Sequence, residues 1–251
     1  MSVKNIDILP TAQAAEGYDF SCSVAVVIDV LRATSVITQA LANGAAAVAP
    51  VLSPDEGFAL ADKLGRGSVV LGGERNADRI PGFDLGNSPQ DYTAAVVGGK
   101  TVVITTTNGT LALRNSESAR AVVAASMLNY RAAARAAAGL AAERGADSVV
   151  LVCSGNYGQL TLEDCFCAAV MSDVVVSECA GAGFATDMAV ALHNLSYARQ
   201  ASDLSLVSQS RHFGRLLAKG YAADADVCLR RPGTVDAVPL MGADGFLRLG
   251  A

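Results

Sequence analysis

The segment Val24-Ala25-Val26-Val27-Ile28-Asp29-Val30 constrains this chain more than any other. An apolar run this short cannot span a bilayer, which needs about 20 residues in a helix. A strand with one wet face would alternate apolar and polar positions, and this one does not. Residues 24–30 therefore predict a strand buried on both faces, the usual state of a parallel sheet covered by helices.

The same alternation of buried strand and helix continues along the chain. Residues 32–43 have helical spacing through Val36, Ile37, Ala40 and Leu41, with Gly44 where a helix ends in the left-handed conformation. Residues 45–51 read as a strand. Ser53-Pro54-Asp55-Glu56 then combines an N-cap, a first-turn proline and a capping-box glutamate, opening a helix that stops near Gly65. Strands follow at 68–71, 101–105, 121–125 and 147–153. Helices are expected near Tyr92, over 111–116, over the alanine-rich 129–144, and from Thr161 with Glu163 and Asp164 in its first turn. Beyond Gly181 the pattern weakens; residues 204–219 read as helix, and 226–229 and 235–240 as short strands. The fold class is α/β with three-layer α/β/α character and mostly parallel or mixed sheets. A change near residues 125–145 suggests two α/β lobes, 1–125 and 126–251, or one domain over the whole chain.

Bulk properties narrow the function classes. At 51% hydrophobic residues and 17% charged ones, the chain can build a full core. A net charge of −5 with no basic stripe argues against a nucleic-acid partner, and no apolar stretch has membrane length. The 6 cysteines, without a signal-like leader, are expected to be reduced thiols of a cytoplasmic protein. With only His193 and His212 available, a Cys/His zinc site is not expected. The alanine-rich helix leaves a homodimer open, although packing within the fold accounts for it equally.

Open parallel sheets bind ligands at the carboxyl ends of their strands. There the chain places Asp29, Arg32 and Thr34; Glu74 and Arg75; Asp84, Asn87 and Ser88; Thr106, Thr107, Asn108 and Gly109; Ser154 and Gly155; and Glu163 and Asp164. Carboxylates suit a hard cation such as Mg²⁺, and arginines with loop amides suit an anion. Together they point to a small phosphate-bearing or multiply acidic molecule. Each group also has a plainer reading: Asp29 as a helix cap, Glu74-Arg75 as a surface ion pair, the threonine loop as turn chemistry, Glu163-Asp164 as a helix start.

The common phosphate motifs fail. Gly98-Gly99-Lys100-Thr101 has Ala95 where a P-loop needs its first glycine. A cysteine-phosphatase loop needs arginine six residues after the cysteine, and Cys153 is followed there by Gln159. Asp29-Val30-Leu31 lacks the second aspartate of a D-x-D nucleophile motif. Neither a dinucleotide fingerprint nor a G-x-S-x-G elbow is complete.

Five blocks carry a resemblance: Asp29-Val30-Leu31-Arg32-Ala33-Thr34-Ser35; Gly72-Gly73-Glu74-Arg75; Gly82-Phe83-Asp84-Leu85-Gly86-Asn87-Ser88-Pro89; Thr105-Thr106-Thr107-Asn108-Gly109-Thr110; and Glu163-Asp164. In this order they resemble the signature blocks of the 2-phosphosulfolactate phosphatase family. Ser35 stands where threonine is common, and Asn76-Ala77-Asp78 replaces a more glycine-rich stretch. The resemblance implies two lobes with the site between them. It also implies a magnesium-dependent acid phosphatase that converts (2R)-2-phospho-3-sulfolactate to 3-sulfolactate, a step of coenzyme M biosynthesis. A phosphatase of another 2-hydroxy-acid phosphate and a non-catalytic anion binder are the alternatives.

On that resemblance, Asp29, Glu74 and Asp164 are expected to hold Mg²⁺, and Arg32 and Arg75 to hold phosphate and sulfonate oxygens. Thr34, Asn87, Ser88, Thr106, Thr107, Asn108, Gly109, Ser154 and Gly155 are expected around the substrate. Asp84 or Glu163 is expected to serve as general acid, with either water or Asp29 as the attacking group.

Overall fold

The structure is a computed structural model that describes residues 3–197, 205–229 and 232–250. Its strands are β1 (Asn5–Leu9), β2 (Ser23–Ile28), β3 (Ala47–Pro50), β4 (Val69–Arg75), β5 (Asp78–Arg79), β6 (Thr101–Thr105), β7 (Ala121–Ala125), β8 (Ser148–Cys153), β9 (Gly183–Phe184), β10 (Pro239–Met241) and β11 (Leu247–Leu249). They join into one sheet in the order β5-β4-β6-β3-β11-β10-β7-β2-β8-β1-β9. Two blocks are parallel, β4-β6-β3 and β7-β2-β8-β1-β9. The antiparallel hairpin β10–β11 stitches them together through Leu240 opposite Val123 and Leu247 opposite Val48. Strands from either side of residue 125 interleave, since β11 and β10 lie between β3 and β7, and β1 lies between β8 and β9.

The helices among the described residues are α1 (Ala33–Ala42), α2 (Pro54–Leu64), α3 (Ala94–Val97), α4 (Gly109–Asn115), α5 (Tyr130–Arg144), α6 (Leu162–Glu178), α7 (Asp187–Tyr197), α8 (Arg211–Ala218) and α9 (Ala222–Leu229). None is long and apolar enough to cross a membrane. The architecture is multilayered α/β with a large, mostly parallel mixed sheet. Every residue of β2 is buried, and its side chains divide between two cores. Val24, Val26 and Ile28 pack with Ala133, Ala137 and Phe166 of α5 and α6. Ala25 and Val27 pack on the other face with Val36, Ile37, Ala112 and Leu113 of α1 and α4. That two-sided burial is why the run carries no polar alternation.

Local chemistry sets the helix ends as the sequence predicts. Ser53 Oγ accepts from the Glu56 amide at 3.1 Å, and α5 stops at Gly145 with φ of 65°.

Several segments differ from expectation. Residues 226–229 are the last turn of α9 rather than a strand: the window is short enough to fit either period, and the alanines of Ala222-Ala223 favour helix. The helix expected over 204–219 begins only at Arg211, where Ser210 caps the amides of His212 and Phe213; residue 204 lies outside the described residues. The strand expected over 235–240 starts at Pro239. Strand β1 and helix α7 were not anticipated. In β1 the polar Asn5 and Asp7 interrupt the apolar signal, yet Asp7 is buried and satisfied by Tyr18, Thr186 and the Ile8 amide.

Candidate active site

A cavity of about 220 Å³ opens at the carboxyl ends of β2, β4, β6 and β8. Within each parallel block the strands carry their following loops to one end, the loop sets of the two blocks meet at the cavity, and α8 covers the far side. Asp29, Glu74 and Asp164 all line it, each at most 8% exposed.

Asp29 leaves the end of β2. Its Oδ1 accepts from the Ala33 amide at 3.0 Å, so the helix-cap reading is correct as far as it goes. Its peptide is clamped by Thr34, whose hydroxyl accepts from the Asp29 amide and donates to the Asp29 carbonyl. The Oδ2 side is pressed by α4: a Cβ on Gly109 would lie 2.7 Å from Asp29 Oδ2 and 2.6 Å from Ala33 Cβ. Only glycine permits this approach. Burial pushes the Asp29 carboxyl up to about 6, with the charges of Glu74 and Glu163 adding to the rise.

Asp164, in the first turn of α6, is held by two backbone amides, Val30 to Oδ1 at 2.8 Å and Gly155 to Oδ2 at 3.0 Å. Its carboxyl is pushed well above the ordinary range, by burial first and then by Asp29 and Glu163. Gly155 has φ of 63°, and a Cβ there would strike the Gln159 carbonyl. Glu74 is fully engaged: Oε1 accepts from the Thr107 amide and hydroxyl, and Oε2 from the Ala77 amide.

Among the described residues no three Asp, Glu, His or Cys side chains stand as a metal cluster. Asp29 and Asp164 form an oxygen-only pair whose mutual repulsion a cation would relieve. That suits Mg²⁺, which commonly takes one or two carboxylates and completes its shell with water and phosphate oxygens.

Of the other expected residues, Asn87, Thr106, Thr107 and Asn108 line the cavity, and the buried Asn87 Oδ1 has no partner. Arg32 lines it too but is heavily committed. Its Nη1 pairs with buried Asp224, its Nη2 donates to the Ala77 carbonyl at 3.2 Å, and the guanidinium stacks 4.1 Å from the Tyr221 ring centre. Thr34, Arg75, Asp84, Ser88, Ser154 and Gly109 do not line the cavity. Arg75 turns to the Leu52 carbonyl and the Thr105 hydroxyl. Asp84 is bound bidentately by Arg66 and by the Leu71 amide, and the Arg66 contacts and the amide bond hold its carboxyl below the ordinary range against partial burial. An ionised, arginine-bound carboxylate cannot supply a proton, which corrects its expected role. Ser88 Oγ serves Asp224 at 2.6 Å.

The site also contains residues not anticipated. Asn76, Ala77 and Tyr157 line it in left-handed backbone conformations, with φ of 55°, 69° and 50°. Tyr157 Oη donates to Asn76 Oδ1 at 2.7 Å across the rim. Helix α8 contributes His212 and Arg215, and its C-terminal cap contributes Lys219. The spacing of three and four between these cations is a helical stripe readable in the sequence.

His212 Nδ1 lies 2.7 Å from Glu163 Oε1. Glu163 is 1% exposed, and its Oε2 has no partner. With Glu163 as the acceptor, Nδ1 carries the shared proton and Nε2 is the other ring nitrogen.

Comparison with known proteins shows which family the chain belongs to. A profile of the family described as 2-phosphosulpholactate phosphatase matches residues 10–243. The chain belongs to that family. A relative from Clostridium acetobutylicum, named a probable 2-phosphosulfolactate phosphatase, is 36% identical over 90% of this chain and 93% of its own length. One from Clostridium botulinum with the same name is 33% identical over 97% of this chain and 99% of its own length. A third from Symbiobacterium thermophilum, also so named, reaches 49% over 58% of this chain and 60% of its own. The family membership and the strand-end cavity rest on independent observations, and both point to phosphoester chemistry.

Proposed function

We propose that this chain is a cytoplasmic phosphoric monoester hydrolase that converts (2R)-2-phospho-3-sulfolactate to 3-sulfolactate and phosphate, the reaction that the family resemblance links to coenzyme M synthesis. The observation that carries the reading is the pairing of buried Asp29 and Asp164 with an oriented histidine in one cavity. Carboxylates crowded into a low-dielectric site strain the fold unless a cation or protons offset them. A phosphatase site gives that strain a use.

Magnesium bound by Asp29 and Asp164 would offset charge on the phosphoryl group and lower the pKa of a bound water. The protein's own groups do the rest. Glu74 ties the Thr107 loop to the β4 turn and so fixes the wall facing the phosphate. The unpartnered Asn87 Oδ1 can accept from a water held in the site, while the Asn108 amide group lines the wall that would face the ester. Asp29, at the cavity wall beside Asp164, would orient the attacking water or attack itself. His212 Nε2 donates the proton that the departing alkoxide needs, and Glu163 holds the ring and stabilises its charged form. Asp84 has no part in this scheme.

The test is phosphate release from 2-phosphosulfolactate, 2-phospholactate and phosphoglycolate, with Mg²⁺ and then with EDTA. Release that favours the sulfonated ester and vanishes with EDTA supports the reading. Equal rates on all three remove the sulfolactate assignment, and no release from any leaves an anion-binding relative.

A further inference from the structure

Helix α8 and its C-terminal cap present His212, Arg215 and Lys219 along one stripe toward the cavity. Leu216 on the same side is buried and anchors the helix against the core. The cavity's cations differ in how committed they are. His212 is tied to Glu163. Lys219 Nζ donates to Asp78 Oδ2 at 2.8 Å and to the Asn76 carbonyl. Arg32 is tied to Asp224 and Ala77. Among the described residues Arg215 has no ion pair or side-chain hydrogen bond, and it stands where the cavity joins a second space of about 440 Å³ that Arg211 also lines.

We propose that Arg215 is the residue that selects the substrate, by binding the sulfonate at the end of the molecule away from the phosphate. The inference rests on the phosphatase reading of the cavity and deepens it. A sulfonate is ionised at every physiological pH and presents oxygens that a planar guanidinium matches in pairs. Arg215 lies three residues beyond His212, about 4.5 Å along the helix axis, which is the scale of a three-carbon acid. His212 at the ester oxygen therefore leaves Arg215 at the far substituent. Lys219 and Arg32, already neutralised by Asp78 and Asp224, cannot offer the same unbalanced charge without giving up a partner.

The experiment compares kcat/KM for 2-phosphosulfolactate and for 2-phospholactate, which lacks only the sulfonate, in the wild type, Arg215→Ala and Arg215→Lys. The ratio between the two esters falls tenfold or more in Arg215→Ala, mainly through KM, and Arg215→Lys recovers part of it. Arg215 is exposed, so the substitution leaves folding intact, which circular dichroism checks. A ratio unchanged in Arg215→Ala overturns the proposal, even if both rates fall together. If the wild type releases phosphate from neither ester, the phosphatase reading fails instead. Calorimetric titration with 3-sulfolactate then decides the inference alone: weaker binding by Arg215→Ala upholds it, and equal binding overturns it.

Discussion

Glu163 and His212 are 49 residues apart in the chain, yet Oε1 and Nδ1 meet at 2.7 Å, one side chain fully buried and the other facing the cavity. The contact docks α8 onto the first turn of α6 and holds the imidazole ring in place. His212→Ala should lower kcat on an alkyl phosphate by roughly 10²–10⁴-fold, the usual worth of a general acid. The loss should be much smaller with nitrophenyl phosphate, whose leaving group needs no proton. Equal losses on both esters would show that His212 does something other than protonate the alkoxide.

Glu163→Gln keeps the shape and removes the charge. A positioning role predicts a lower kcat with a changed acidic limb of the pH–rate profile and little change in KM. A profile superimposable on that of the wild type would rule the role out.

The ion pair of Arg32 with Asp224 joins the turn after β2 to α9, and Ser88 and Gln90 complete the hydrogen bonding of Asp224. Removing one partner of a buried pair leaves an uncompensated charge and costs about 3–5 kcal/mol. Asp224→Ala should therefore lower Tm by about 6–20 °C, given roughly 2–4 °C per kcal/mol for a chain of this size. Calorimetry that finds Tm unchanged would contradict the pairing.

Asp29 carries a pH dependence of definite sign. Its carboxyl is raised to about 6 in the fold from an ordinary 3.8, so the folded state binds the proton more tightly than the unfolded state does. The stability this gives is full below the unfolded value and is lost as pH rises through about 6. Metal-free Asp29→Asn should accordingly show a higher Tm than the wild type at pH 8, with a flatter Tm profile between pH 4 and 7. Lower stability of the variant at pH 8 would mean that Asp29 is a structural cap and nothing more.

Gly109→Ala tests the approach of α4 to Asp29. The added methyl would meet Ala33 Cβ at 2.6 Å and Asp29 Oδ2 at 2.7 Å, so either α4 or Asp29 must move. Overpacking of this kind costs about 1–3 kcal/mol, and the rate should fall along with the stability. Full activity at unchanged Tm would show that Asp29 need not be fixed there.

The legible part of this protein was its parallel core. The Val24 to Ile28 run, the Ser53 cap and the Gly145 stop each follow from short-range rules, and the loops after β2 and β8, like those after β4 and β6, share one end of their own parallel block. Asp29, Glu74 and Asp164 were found for that reason. What could not be read was which way a side chain turns after the strand ends. Arg75 follows Glu74 directly, yet it faces Thr105 while Glu74 faces the cavity. Asp84 sits in a signature block but is claimed by Arg66. The α8 stripe was hidden because it reaches the site through tertiary packing from the far end of the chain, although its spacing of His212, Arg215 and Lys219 was there to be counted.

The most direct test is phosphate release from 2-phosphosulfolactate by the wild type and by Asp29→Asn at saturating Mg²⁺, with the fold of the variant verified by its Tm. The account predicts a rapid wild-type rate and a loss of at least about 10³-fold in a variant that is as stable as its parent, a size within reach of one essential acid–base group or nucleophile. Wild-type turnover retained in Asp29→Asn would contradict it.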